Sequence, residues 1–293
     1  MDSMWAIPEA IIDCHWLKDR YDRQDIRIYD CTSYLHYTDE HPSQPYDVVS
    51  GFDNYCRSHI PNAAFLDLQQ DLSENDSPYS FTIPALHDLA ERFKKQGVGE
   101  PFHIILYSAN GMQWATRIWW MLYAAGYQRV SILNGGFAAW QEAGLPTQES
   151  ITKWEPAEFE ARPKPNIFVG KQRVLDAIAD EKTVLLNALT SDLHLGKSAR
   201  YGRPGRIPTS LNIPFTSFMK NGLHDIKSAS EAQQILAEHG LNQDTDIVNY
   251  CGGGIAATLN AFVMLQLGFS DLQIYDNSMS EWAMDHSLAI ETG

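Results

Sequence analysis

Cysteine is scarce in this chain, and what there is does not pair. The 293 residues hold four, at positions 14, 31, 56 and 251, with no CxxC. That spacing argues against a disulfide framework and suits a reducing compartment, the cytoplasm. Cys56 and His59 have a metal-like spacing, but no second ligand pair accompanies them, so no metal is expected. Basic charge is also short. Lys plus Arg total 22 against 37 for Asp plus Glu, a formal net charge of −15. This balance opposes nucleic-acid partners and binding to anionic membranes, and an anionic substrate would need a locally positive site. Long apolar runs are missing too. The stretch IWWMLYAAGY (118–127) is too short to cross a bilayer. The opening MDSMWAIPEAIID has neither the basic region nor the apolar segment of a signal peptide.

What is present is repetition. HIILYSANGMQWATRIWWMLYAAGY (103–127) can be laid on DIVNYCGGGIAATLNAFVMLQLGF (246–269), so that Tyr107 falls on Tyr250, Ser108 on Cys251 and Gly111 on Gly254. NGGFAAW (134–140) lies on DNSMSEW (276–282), SHIPNAAFLDL (58–68) on GRIPTSLNIPF (205–215), and IYDCT (28–32) on LLNAL (185–189). Four blocks in one order imply two copies of one domain, with a period far longer than any solenoid repeat. The gap between the first two blocks is longer in the first copy, so the halves differ in one loop. The segment 146–165, PTQESITKWEPAEFEARPKP, is rich in proline and polar residues and reads as a linker. The expected division is 1–145, linker 146–165, and 166–293.

Each copy alternates strand and helix. Residues 26–30 and 183–187, HIILY and DIVNY, and QRVSIL and DLQIY have the apolar character of short strands. Ile255, Leu259, Phe262 and Val263 form an apolar helical stripe, as do Trp114, Ile118, Met121, Leu122 and Ala125. Gly126 and Gly268 follow as helix stops. The pattern predicts an α/β fold, each copy a mainly parallel sheet flanked by helices.

Sites in such sheets form at the carboxyl ends of strands. Cys251 sits at one, opening the loop VNYCGGGIAAT (248–258). Glycines at 252, 253 and 254 let the backbone curl so that several N–H groups converge. Beside a helix start, such a nest stabilises an anion. A thiol placed there gains thiolate character and nucleophilicity, and a persulfide anion is held by the same groups. The competing reading is a small residue buried after a core strand. A phosphatase loop would need an arginine where Ala257 and Thr258 stand, so phosphate ester chemistry lacks its bidentate partner.

These blocks, the YCGGGIAA loop and the LGF turn together resemble the tandem-domain rhodaneses, the group of thiosulfate and 3-mercaptopyruvate sulfurtransferases, over nearly the whole chain. The resemblance implies two tandem rhodanese-like domains, the first inactive because Ser108 stands at the cysteine position, the second catalytic. It implies a persulfide on Cys251, a small anionic sulfur donor (thiosulfate or 3-mercaptopyruvate), and a thiol or cyanide acceptor, a thiol protein among them. No cofactor or metal is implied. Substrate contacts are expected from Gly252, Gly253, Gly254, Ile255 and Ala256. Basic side chains in the loop, usual where thiosulfate is preferred, are absent, and Ile255-Ala256 replaces the Val-Thr of the mercaptopyruvate enzymes. The family's Asp-Ala-Arg block appears as Asn187-Ala188-Leu189, without its arginine. Arg200, Arg203 and Arg206 in SARYGRPGRIP are the candidate replacements, against a solvated basic loop. With that arginine lost, the alternative function is a sulfur carrier or a noncatalytic binding protein. His59 reads as a loop-bonding histidine or a residue near the domain cleft. Asp276 and Ser278 read as turn residues or as flanks of the pocket, and Trp140 and Trp282 as core.

Overall fold

The computed structural model describes residues 5–38 and 45–293, so the first four residues of the stretch read for a leader lie outside it. The first half contains β1 (Ile11–Ile12), β2 (Ile26–Asp30), β3 (Ser33–Tyr37), β4 (Tyr46–Ser50), β5 (Ala63–Phe65), β6 (His103–Tyr107) and β7 (Val130–Leu133). The second half contains β8 (Phe168–Val169), β9 (Thr183–Asn187), β10 (Leu211–Asn212), β11 (Met219–Lys220), β12 (Asp225–Ile226), β13 (Asp246–Tyr250) and β14 (Leu272–Tyr275). Two five-stranded sheets result, ordered β1-β7-β6-β2-β5 and β8-β14-β13-β9-β10. Every pairing in both is parallel. The strand order is the same in the two, element for element.

The repeat extends to single hydrogen bonds. The Tyr107 hydroxyl accepts from Ile60 N at 3.3 Å, and that of Tyr250 from Ile207 N at 3.2 Å. Trp140 Nε1 donates to Pro146 O at 2.7 Å, and Trp282 Nε1 to Ala289 O at 2.9 Å. Both indoles are buried core groups.

Gln113–Ala125 and Ala256–Gln266 are helices, as their stripes predict. Their burial is wider than the stripes imply, because each lies between its own sheet and the other helix. Thr116 and Thr258 hydroxyls meet at 2.9 Å between them, Trp120 Nε1 donates to Thr258 O at 3.0 Å, and Trp119 meets Phe262 edge-on at 4.9 Å. A single apolar cluster therefore runs through both halves. A smaller one, including Ile28, Ile105 and Trp140, belongs to the first half alone.

The segment 146–165 is a strap laid on the first half. Bridges join His59 to Gln148, Ala64 to Thr152 and Glu100 to Glu158. The backbone N–H groups of Arg162 and Lys164 cap the carbonyls of Ala125 and Ala124 at 2.8 Å each. The longer loop of the first copy is the antiparallel hairpin of β3 and β4. Among the described residues no helix is long and apolar enough to cross a membrane.

Candidate active site

Cys251 follows β13 and is 2 % exposed. Its N–H donates to Ser278 Oγ at 3.0 Å, and its carbonyl accepts from Met279 N at 3.1 Å. Ser278 holds a left-handed backbone, φ 49°, which a residue with a β-carbon rarely adopts. Its counterpart in the first copy is Gly136, φ 53°. The serine hydroxyl compensates by bridging Cys251 N and Tyr275 O, at 3.0 and 2.7 Å. Ser278 thus fixes the cysteine from behind, and does not line the cavity.

The N–H groups of Gly252, Gly253, Gly254 and Ile255 donate to no protein acceptor among the described residues. They directly precede the helix Ala256–Gln266, whose N-terminal end carries partial positive charge. In the first copy two of the matching N–H groups have acceptors. Ala109 N donates to Thr32 Oγ1 at 2.9 Å and Asn110 N to Ser108 Oγ at 3.0 Å.

Cys251 opens onto a cavity of about 130 Å³ at the boundary of the halves. Gly252, Gly253, Ile255 and Ala256 line it; Gly254 does not. Gly254 has φ 71° and faces the domain boundary, where a β-carbon would strike Asp276 O. Gly254, expected among the substrate contacts, thus lies outside the cavity lining, and its conformational freedom serves the turn and the interface. Arg200 lines the cavity, its guanidinium 4.0 Å from the Tyr37 ring centre.

Arg203 and Arg206, expected with it, do not line the cavity. Arg203 donates to four carbonyls, of Trp282, Ala283, Asp285 and Leu288, at 2.7–3.1 Å. Arg206 donates to Gly293 O at 2.9 Å and pairs with Glu291 at 3.5 Å. Both hold down the carboxyl-terminal segment, whose orphan carbonyls need donors. Leu189, at the position of the missing arginine, is an apolar part of the cavity wall. His59 is remote from it: its ring stacks on Tyr55 at 3.9 Å, Nδ1 bonds Tyr55 O at 2.7 Å, and burial holds its pKa below the ordinary value.

Sequence reasoning missed the roof. Leu35, Tyr37 and Tyr46, on the β3–β4 hairpin of the first half, close the cavity with Trp114, and Tyr201 and Phe215 complete it from the second half. The only sequence signal was the longer loop of the first copy.

It also missed the clamp beneath. Arg117, fully buried on the first-half helix, donates to Asp276 Oδ1 at 2.6 Å, Phe81 O at 2.6 Å and Gly254 O at 3.1 Å. Asp276 Oδ2 accepts from Ile83 N at 2.8 Å. The pseudo-equivalent Asn134 accepts from Ile226 N of the other half at 2.9 Å. Asp276 therefore ties the cysteine loop to the first half and is not a cavity flank.

Comparison with known proteins places the chain. The family model described as Rhodanese-like domain matches twice, at residues 13–143 and 172–285. The 3-mercaptopyruvate sulfurtransferase of Mus musculus is 32 % identical over 288 residues, covering 94 % of this chain and 92 % of the relative. That of Escherichia coli (strain K12) is 29 % identical over 294 residues, covering 99 % of both. The crystal structure of SseA from Escherichia coli superposes with a TM-score of 0.76 at 27 % identity, covering 92 % of this chain and 98 % of that one. Paired parallel sheets of identical strand order, a cysteine loop in one and its serine counterpart in the other, accord with that match: the chain belongs to the rhodanese-like domain family and carries the domain twice.

Proposed function

We propose that this chain is a sulfurtransferase that carries a sulfane sulfur as a persulfide on Cys251. The carrying observation is the loop itself. Four successive N–H groups without protein acceptors follow a cysteine that opens into a cavity, at the start of a helix. Such groups stabilise a thiolate and then a persulfide anion, because both place negative charge where the donors are already fixed. With thiosulfate, the thiolate attacks the outer sulfur, the S–S bond breaks and sulfite leaves with the electron pair. With 3-mercaptopyruvate, the C–S bond breaks instead and pyruvate results. A thiol or cyanide then attacks the outer persulfide sulfur and regenerates the Cys251 thiolate. No cofactor enters either step.

Arg200 is the guanidinium in the cavity wall and takes the donor's anionic group. Gly252, Gly253, Ile255 and Ala256 form the floor. The mixed apolar and aromatic walls favour 3-mercaptopyruvate over thiosulfate, whose two charges would face one arginine. The named relatives support the same class. The first domain is noncatalytic in this reading: Ser108 replaces the thiol, and two of its loop N–H groups serve Thr32 and Ser108. Its contribution is the hairpin roof and the Arg117 clamp. Residues 1–145 and 166–293 are then the noncatalytic and catalytic domains, joined by 146–165. All four cysteines are free, which suits the reducing cytoplasm.

The test is intact-protein mass after incubation with each donor, then with cyanide. One added sulfur that cyanide removes, absent from Cys251→Ser, is the expected result. A sulfur gained by Cys251→Ser refutes the assignment. A loaded protein that fails to turn over small donors turns the reading to a sulfur carrier, for which Leu189 in place of an arginine is the motivating observation.

A further inference from the structure

Two phenol hydroxyls occupy the space beside the loop glycines. A β-carbon on Gly252 would collide with the Tyr201 hydroxyl, and one on Gly253 with the Tyr46 hydroxyl. Neither glycine has positive φ, so the tyrosines, not the backbone, exclude side chains there. Polar groups that a side chain at either position would bring are supplied from outside the loop instead. The two phenols differ. Tyr46 lies beside the Ser280 side chain. Tyr201 is 6 % exposed, lines the cavity with Cys251, and its hydroxyl has no protein partner among the described residues. Its hydroxyl is therefore free to donate to a ligand in the cavity. Burial, with Tyr37, Tyr46 and Cys251 nearby, pushes its pKa well above the ordinary tyrosine value, so it stays a proton donor at neutral pH.

We infer that Tyr201 is the acid that protonates the departing carbon when the sulfur donor is a β-thiol α-keto acid such as 3-mercaptopyruvate. The inference rests on the persulfide reading of Cys251. The Cys251 thiolate attacks the donor sulfur; the S–S bond forms as the C–S bond breaks. The C–S electron pair passes to the carbon, giving the enolate of pyruvate, while the donor's thiol proton passes to water and leaves the persulfide anion that the loop N–H groups hold. The enolate carbon is a stronger base than a phenolate and takes the Tyr201 proton, giving pyruvate. The phenolate recovers a proton from water. Discharge to cyanide needs no such acid, since thiocyanate forms and the Cys251 thiolate leaves as an anion.

The two half-reactions therefore separate chemistry from shape. In wild type and Tyr201→Phe, single-turnover persulfide formation from 3-mercaptopyruvate is measured beside cyanide discharge of polysulfide-loaded protein. The expected result is a loss of about 100-fold or more in formation, with discharge within about threefold of wild type, since a step that transfers no proton lacks the general-acid factor. Equal loss in both halves would mean that Tyr201 only shapes the cavity; no loss in formation would mean that it has no role. Either overturns the inference, as does a loss confined to discharge. A wild-type protein that gains no sulfur on Cys251 fails the persulfide reading itself, a different result from any of these.

Discussion

Replacing Asp276 with alanine strips the buried Arg117 guanidinium of its counter-ion. Arg117 is fully buried, with carbonyls of Phe81 and Gly254 as its other acceptors, and the face of Phe168 lies 4.6 Å away. Those groups cannot neutralise it, and Ile83 N loses its acceptor as well. Removing one member of a buried pair typically costs about 3–5 kcal/mol, and the orphaned amide adds about 1–3 kcal/mol. The expected loss is thus about 4 kcal/mol or more. A double variant, Arg117→Met with Asp276→Leu, recovers most of it, because replacing both charges by apolar groups of similar volume is often neutral or stabilising. Activity does not recover with it: Gly254 O still lacks its donor, and the cysteine loop loses its anchor to the first domain. Urea denaturation measures the stabilities, and persulfide formation measures the loop. A single-variant cost below about 1 kcal/mol would place the pair among weak surface-like bridges and refute the clamp. So would a double variant that regains full sulfur transfer.

Two further outcomes test the cradle and its surroundings. Gly253→Ala drives a methyl into the Tyr46 hydroxyl in a site where Tyr46 is 5 % exposed and cannot retreat; we expect about 1–3 kcal/mol of destabilisation, typical of overpacking, and slower persulfide formation, and a neutral result in thermal melts would show that the roof is mobile. His194, buried beside Asn187 and near Arg206, has its pKa lowered to about 4 by burial first and Arg206 second. The folded state then binds this proton less readily than the unfolded chain, so its contribution is full above about pH 6.5 and is lost as pH falls through 6.5 toward 4. Relative to His194→Gln, the wild type should lose on the order of 1 kcal/mol between pH 7 and 5; denaturation curves that keep a constant gap across that range would contradict it. Asp30 acts in the opposite sense, its pKa raised to about 6 by burial, and is common to both proteins.

The repeat was readable because it is local. Strands at 26–30, 103–107, 183–187 and 246–250 have apolar runs of strand length, and the same blocks recur in the same order. The loop at Cys251 was readable for the same reason: glycines, a strand end and a helix start are neighbours in the chain. The choice among Arg200, Arg203 and Arg206 was not. Arg203 is claimed by carbonyls about 80 residues away, and nothing within SARYGRPGRIP says so. Arg117 reads locally as one charge in an apolar helix, and its acid lies 159 positions further on. The tyrosine roof is equally distant: Tyr37 and Tyr46 belong to a hairpin of the first domain, yet they cover a cysteine of the second.

By itself, then, the sequence determined the two sheets, their helices and the Cys251 loop, because hydrophobic period and turn chemistry act over a few residues. The tertiary structure decided which charges are buried in pairs, which glycine lines the cavity and which faces the interface, and that the first domain walls the cavity beside Cys251. Those depend on which backbone carbonyls and side chains meet across a domain boundary, and a buried donor takes whichever acceptor the fold brings to it.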